Sequence, residues 1–181
     1  MKTKILIVAA LAALVVPAAS FGGPSGQDRQ NGARACHALR DSLGVNTFRQ
    51  TYGTARSNFR NAMGRCVSAW THAAHQDRMS ARAACTAEQA DPNFAANHDN
   101  KSFAEFYGTG KNHKNAFGQC VSSKTKAALD QQVSTTQNAA RSCKAERASM
   151  GGPAFRAKYG KNASDRNAFG KCVSTLAKSS T

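Results

Sequence analysis

A repeated pair of cysteines is the feature that most constrains the fold of this chain. The sequence NAMGRCVS at residues 61–68 recurs as NAFGQCVS at 115–122 and as NAFGKCVS at 167–174. Another cysteine precedes each copy, at the end of an alanine- and arginine-rich segment: Cys36, Cys85 and Cys143. Self-similarity at a regular spacing marks tandem structural units. The chain is therefore predicted to contain three repeats with two cysteines each.

An aromatic pair lies between the two cysteines of every copy. The pairs are Phe48/Tyr52, Phe103/Tyr107 and Phe155/Tyr159, and a glycine follows each tyrosine. Residues four apart lie on one face of a helical turn, so each pair predicts a short helix. The following glycine is expected to end that helix in a left-handed conformation, which glycine adopts at little cost.

The repeated octapeptide predicts the start of the next helix. Its first residue is Asn61, Asn115 or Asn167, whose side chain is expected to cap the helix by accepting a backbone N–H bond. Its third residue, Met63, Phe117 or Phe169, is expected to turn inward. A helical glycine costs about 1 kcal/mol relative to alanine, so Gly64, Gly118 and Gly170 indicate a backbone packed closely against each.

Two segments without helix breakers predict long helices. Residues 61–90 contain no proline and only one glycine, and the same is true of residues 115–150. Both segments are rich in residues that favour helix. We therefore expect an all-α protein whose tandem repeats, 31–80, 81–130 and 131–181, are joined by shared long helices into an elongated array. The middle repeat has six extra residues around 91–102, which we expect to form a loop insertion.

The predicted helices restrict the disulfide pairing. Six cysteines in an exported chain suggest three bridges, for which sequence alone allows fifteen pairings. Cys66 and Cys85 would lie on one helix about 28 Å apart, whereas a disulfide requires α-carbons within ~7 Å. Cys120 and Cys143 are excluded in the same way. The pairing consistent with repetition is Cys36–Cys66, Cys85–Cys120 and Cys143–Cys172.

The N-terminus predicts export. Residues 1–20 have two early lysines, a short apolar run and small residues before Phe21, as a secretory signal peptide does. An uncleaved anchor is the alternative, but the apolar run is short for a membrane span. We expect a protein that is secreted or held in the cell envelope, with a flexible mature N-terminus over residues 21–30.

The charge of the chain favours an anionic partner. Lysine and arginine number 25 against 10 acidic residues, and 23 basic residues remain after residues 1–20 are removed. The net charge is +5 over residues 21–80, +1 over 81–130 and +7 over 131–181. A basic exported protein meets wall polymers, lipid head groups and nucleic acid. The alternative is that the charge serves only solubility.

No pattern in the sequence indicates catalysis, a metal or a cofactor. The cysteines are too far apart in sequence for the close pairs of zinc sites, and an even number leaves no spare thiol. His72 and His75 are spaced to share a metal, but the other repeats have no equivalent pair, so we expect two solvated surface histidines. The loop at 107–115 lacks the phosphate-loop pattern. No acid/base or nucleophile arrangement is present, so we expect a protein that is not an enzyme.

One basic feature recurs in the loops before the octapeptides. The residue before the asparagine is Arg60, Lys114 or Arg166, and Arg56, Lys111 and Lys161 lie in the same loops. Three such corners could bind a polyanion at several points, because free N–H groups at a helix start also favour anions. The alternative function is a structural or interaction protein of the cell envelope with a protein partner.

The combined motifs resemble a known kind of repeat. A-R-x-C, F-x-x-x-Y-G and N-A-F-G-K-C-V-S together resemble a repeat of small secreted bacterial proteins of uncharacterised function. The resemblance spans residues ~30 to ~178, as judged by the extent of the repeat. It implies no activity, cofactor or catalytic residue. The first copy departs from it, with Met63 in place of phenylalanine and a loop that is one residue longer.

Overall fold

The computed structural model describes residues 22–160 and 166–179 and contains helices and no strands within them. The predicted signal peptide at 1–20 lies outside the described residues. The helices are α1 Gly26–Leu43, α2 Val45–Tyr52, α3 Ala62–Ala90, α4 Phe94–Asn97, α5 Phe103–Tyr107, α6 Ala116–Met150, α7 Gly152–Tyr159 and α8 Ala168–Ser179, with a 3₁₀ turn at Ala55–Ser57. The all-α class is confirmed.

The three predicted disulfides are confirmed. Cys36–Cys66, Cys85–Cys120 and Cys143–Cys172 have Cα–Cα distances of 5.9, 6.1 and 6.0 Å. All six cysteines are completely buried. Each bridge joins the helix that enters a repeat to the helix that leaves it. Each repeat also buries its own phenylalanine, Phe48, Phe103 or Phe155, against the bridge, so the chain has three small cores.

The two long helices are confirmed with the expected bounds. Helix α3 has 29 residues and α6 has 35, and each begins directly after the asparagine of its octapeptide. Helix α3 leaves repeat 1 and enters repeat 2, and α6 leaves repeat 2 and enters repeat 3. Helix α6 packs against α3, α1 and α8, so this shared helix lies at the centre of the fold.

The expected elongated array is wrong, because repeat 3 folds back onto repeat 1. Helix α8 packs against α2, and Leu43 at the end of α1 contacts the core of repeat 3. A side chain at Gly170 would have its Cβ only 2.7 Å from the Thr51 carbonyl oxygen and 3.2 Å from that of Gln50. The close backbone contact predicted for this glycine is therefore present, and it lies between repeats.

The same prediction is wrong for the other two octapeptide glycines. A Cβ at Gly64 or at Gly118 would meet no atom within 4 Å, because both positions face open space. Only the third octapeptide packs on another repeat in this way. The repeated glycine thus has a packing role at one of its three positions.

Asn61 and Asn115 do not cap their helices as expected. The backbone N–H of Thr54 donates to Asn61 Oδ1 at 3.0 Å, and Asn61 Nδ2 donates to Thr54 Oγ1 at 3.1 Å. Asn115 makes the same two bonds with Thr109, at 2.9 and 2.6 Å. In both repeats the asparagine side chain binds the backbone N–H and the hydroxyl group of the threonine. These two bonds hold the start of the loop against the start of the long helix.

The glycine after each tyrosine is also explained differently. Gly53 has φ −76°, which any residue adopts, so the expected left-handed conformation is wrong. A Cβ on Gly53 would lie 2.7 Å from the Cα of Phe59. Gly108 has φ −75° and its Cβ would lie 2.8 Å from the Cα of His113. Glycine is required at both positions because the following loop folds back against the end of the helix and leaves no room for a side chain.

The expectation of a flexible segment at 21–30 is wrong for residues 26–30, which belong to α1. Ser25 and Asp28 form a capping box, in which each accepts a bond from the backbone N–H of the other. Asp28 is fully buried, and its carboxylate accepts bonds from Arg78 Nε at 2.9 Å and Nη2 at 3.0 Å. This ion pair fastens the first turn of α1 to the middle of α3.

His75 belongs to the same group. Arg78 Nη2 lies 3.0 Å from His75 Nδ1, and the His75 side chain is 17% exposed. The expectation of two solvated histidines is correct for exposed His72 and wrong for His75. The described residues contain no group of three or more histidine, cysteine or acidic side chains that could hold a metal.

Among the described residues, none of the helices combines the length and the apolar character needed to cross a membrane.

We predict opposite effects for alanine at two equivalent glycines. Gly170→Ala should lower the free energy of unfolding by about 1–3 kcal/mol, because its Cβ would meet the Thr51 carbonyl. Gly118→Ala should raise it by about 0.5–1 kcal/mol, because the position is helical and open. Urea unfolding under non-reducing conditions measures both changes, and equal effects would contradict the packing of α8 on α2.

We predict acid sensitivity from Asp28. Burial raises the pKa of Asp28, but hydrogen bonds from Arg78 and Ser25 outweigh burial and lower the pKa from 3.8 to about 2. The unfolded chain therefore binds this proton first as the pH falls, and about 2 kcal/mol of stability should be lost between about pH 4 and pH 2. Urea unfolding at a series of pH values measures this loss.

Two asparagine variants distinguish the contribution of Asp28 to the acid sensitivity from that of other carboxylates. Asp28→Asn should be less stable at neutral pH, since the partly buried Arg78 loses its counter-charge, but its stability should fall less steeply below pH 4. Asp99→Asn, which removes an exposed carboxylate, should keep the wild-type dependence. An unchanged slope in Asp28→Asn would show that the ion pair does not set the acid sensitivity.

Candidate polyanion-binding cleft

The packing of α8 on α2 creates a cleft between repeats 1 and 3. Three adjoining depressions of ≈ 350, ≈ 150 and ≈ 330 Å³ share one lining residue, the partly buried Gln50 of α2. We call their combined surface the basic cleft, after its six cationic lining residues: Arg65, Lys144, Arg147, Arg156, Arg166 and Lys171.

The first depression lies at the end of α2. Arg65 and Lys171 line it, and Arg65 Nε donates to the Tyr52 carbonyl oxygen at 3.2 Å. Tyr52 also lines it, and burial raises the pKa of Tyr52 to about 12 despite a bond from Trp70 Nε1 at 3.1 Å. The tyrosine therefore stays neutral and adds no negative charge to this depression.

The middle depression, which we call the arginine pocket, has three guanidinium groups around it. Arg147 comes from α6, Arg156 from α7 and Arg166 from the turn before α8. Arg147 Nη1 donates to Gln50 Oε1 at 3.3 Å, which places this side chain against repeat 1. Phe59 of repeat 1 completes the pocket. Its volume of ≈ 150 Å³ suits one small anionic group.

The third depression lies beside the N-terminal half of α2. Lys144 and Arg147 of α6 line it together with Asn46 and Thr47. Arg147 thus borders two of the three depressions. The cationic side chains are exposed, so they can contact a ligand without a change in the backbone.

Among the residues that the structure describes, no carboxylate lines the basic cleft. The ion pairs of the described residues use Asp28, Asp41, Glu88, Asp130 and Glu146, and none of these five residues lines a depression. Glu146, next to Arg147 in sequence, binds Lys158 Nζ at 2.6 Å and Tyr159 Oη at 2.8 Å instead. The described residues of the lining therefore carry a net positive charge, so the cleft can attract anions.

The six cations predicted from sequence are only partly brought together. Arg166 lines the arginine pocket. Arg56 and Arg60 are exposed in the loop that contains Phe59, but neither lines the pocket. Lys111 and Lys114 are exposed in repeat 2 and line none of the three depressions, and Lys161 lies outside the described residues. The predicted series of three equivalent corners is therefore not the arrangement found.

Most of the cleft was missed by the sequence analysis. Arg65 and Lys171 share one place in the octapeptide, between its glycine and its cysteine, but the sequence analysis did not single them out. Gln50, Lys144, Arg147 and Arg156 stand at other places in the repeat. The available signal was the uneven charge, since repeats 1 and 3 carry the larger positive excess. That signal does not reveal that the two repeats meet.

Comparison with protein-family models, with curated proteins and with solved structures gives no match to this chain. The geometry and charge of the cleft are therefore the evidence from which a function is inferred.

Proposed function

We propose that this protein is an exported, non-catalytic protein that binds a linear polyanion in the basic cleft. The observation that carries the proposal is a cleft between the two most basic repeats, whose described lining residues include six cations and no carboxylate. Clefts lined by one sign of charge concentrate ligands of the opposite sign. Phosphate-rich wall polymers, anionic lipid head groups and nucleic acid share the required chemistry.

The layout of the cleft favours a chain of charges over a single ion. Three depressions side by side allow successive anionic groups of one polymer to bind at once, which strengthens binding through effective concentration. Three of the groups in the arginine pocket are planar guanidinium forks, which match phosphate oxygens with paired hydrogen bonds. The disulfides of repeats 1 and 3 hold both walls before the ligand arrives, which reduces the entropy lost on binding.

Export is part of the proposal. The basic and apolar residues of segment 1–20 resemble a signal peptide, and three disulfides form and persist in oxidising compartments. In that setting the accessible polyanions are those of the cell surface and those released from lysed cells.

A charge-matched pair of variants tests the cleft. The probe is inorganic polyphosphate, and the affinity is measured by calorimetry over a salt series. Arg147→Gln, Arg156→Gln and Arg166→Gln combined should weaken binding by about tenfold or more at low salt. They should also lower the slope of log affinity against log salt by roughly 2, because each lost phosphate contact lowers it by roughly 0.7–0.9.

The control removes the same charge elsewhere. Lys101→Gln, Lys111→Gln and Lys114→Gln combined remove three exposed cations of repeat 2, outside the cleft, and should weaken binding much less. Equal weakening by both triple variants would show that net charge, and not the cleft, binds the polymer. Salt-insensitive capture of one envelope protein, with no polyphosphate binding, would support the alternative of a protein partner.

A further inference from the structure

Phe59 is an aromatic residue in an unusual position at the arginine pocket. Its backbone is left-handed, with φ 62°, which is uncommon for a bulky residue. The side chain is partly exposed and lines the pocket with the three arginines. No other aromatic ring of the described residues stacks on it, although Phe155 and Phe169 lie in the same lining.

Repeat 2 has the same backbone conformation at the position equivalent to Phe59, but a different side chain with a different contact. His113 occupies the equivalent position with φ 49°, so the left-handed conformation belongs to the repeat. His113 Nδ1 donates to the Gly108 carbonyl at 3.2 Å and is thereby used within its own repeat. Phe59 instead lies at the border with repeat 3, where its ring faces a space lined by guanidinium groups.

We propose that the natural polyanion is single-stranded nucleic acid, with one base stacked on Phe59 and the neighbouring phosphate bound by Arg147, Arg156 and Arg166. This inference rests on the function proposed above and adds the class of ligand. Proteins that bind single strands combine a positive groove with aromatic rings on which bases stack. Polyphosphate has no flat face for Phe59, and in a duplex both faces of each base are already covered.

Matched ligands isolate the contribution of the bases. An oligothymidylate and an abasic oligodeoxynucleotide of the same length present the same number of phosphates. The wild-type protein should bind the oligothymidylate about fivefold or more tightly, because a stacked base contributes roughly 1–3 kcal/mol. Phe59→Leu should bring the ratio close to one, because leucine has no ring on which a base can stack.

Two further variants control for folding and for general aromatic effects. Phe106→Leu changes a ring that is 43% exposed and lies outside the cleft, and it should keep the wild-type ratio. Phe59→Trp should restore the preference lost in Phe59→Leu. The chain has one other tryptophan, the buried Trp70, so the fluorescence of an exposed new indole should be quenched by oligothymidylate and not by the abasic strand.

The outcomes separate this inference from the proposed function. Equal binding of both oligonucleotides by the wild-type protein, or an unchanged ratio in Phe59→Leu, would overturn the stacking of a base on Phe59. Polyphosphate binding that depends on the three arginines would survive either result. Loss of that arginine dependence would instead overturn the cleft itself and, with it, both proposals.

Discussion

The whole arrangement depends on one covalent constraint, the buried disulfide that joins the entering and leaving helices of each repeat. A repeat of this length has few large apolar residues, and a core of that size is rarely sufficient alone. A bridge that closes a loop of 29 to 35 residues removes entropy from the unfolded chain, worth about 3–4 kcal/mol in the loop-closure account. With both sulfur atoms fully buried, each bridge is also the centre of its core.

The disulfides also leave the contact between repeats 1 and 3 free to be formed by small and polar groups. Because each repeat is held by its own bridge and shares a long helix with its neighbour, the contact between repeats 1 and 3 need not carry the stability of either. Helix α8 can therefore meet α2 through small and polar groups, with Gly170 against the carbonyls of Gln50 and Thr51. Around that contact the cationic side chains remain exposed, whereas Arg78 on α3 and Lys124 and Lys126 on α6 are paired with carboxylates. The exposed cations at the contact support binding of an anion there.

Local sequence was sufficient for features that arise within a few helical turns. The absence of proline over 61–90 and 115–150 predicted α3 and α6 closely. The repetition of the cysteines, together with the exclusion of a bridge along one helix, predicted the pairing. The errors have a common cause, namely partners that are distant in sequence. Asn61 and Asn115 pair with threonines across a loop, and Asp28 is buried only because Arg78 lies 50 residues away. Gly64, Gly118 and Gly170 are alike in sequence but differ in what the fold places against them.

By itself the sequence determined the helical class, the three repeats, the disulfide pairing and the excess of positive charge, because each of these follows from residue type and spacing along the chain. Only the tertiary structure decided that repeat 3 packs against repeat 1. That packing determines which cations lie in one cleft with Phe59. The physical reason is that helix periodicity specifies which face of a helix is apolar but not which other helix covers it. That choice is made by close contacts between distant backbones, such as the one at Gly170, which residue spacing does not reveal.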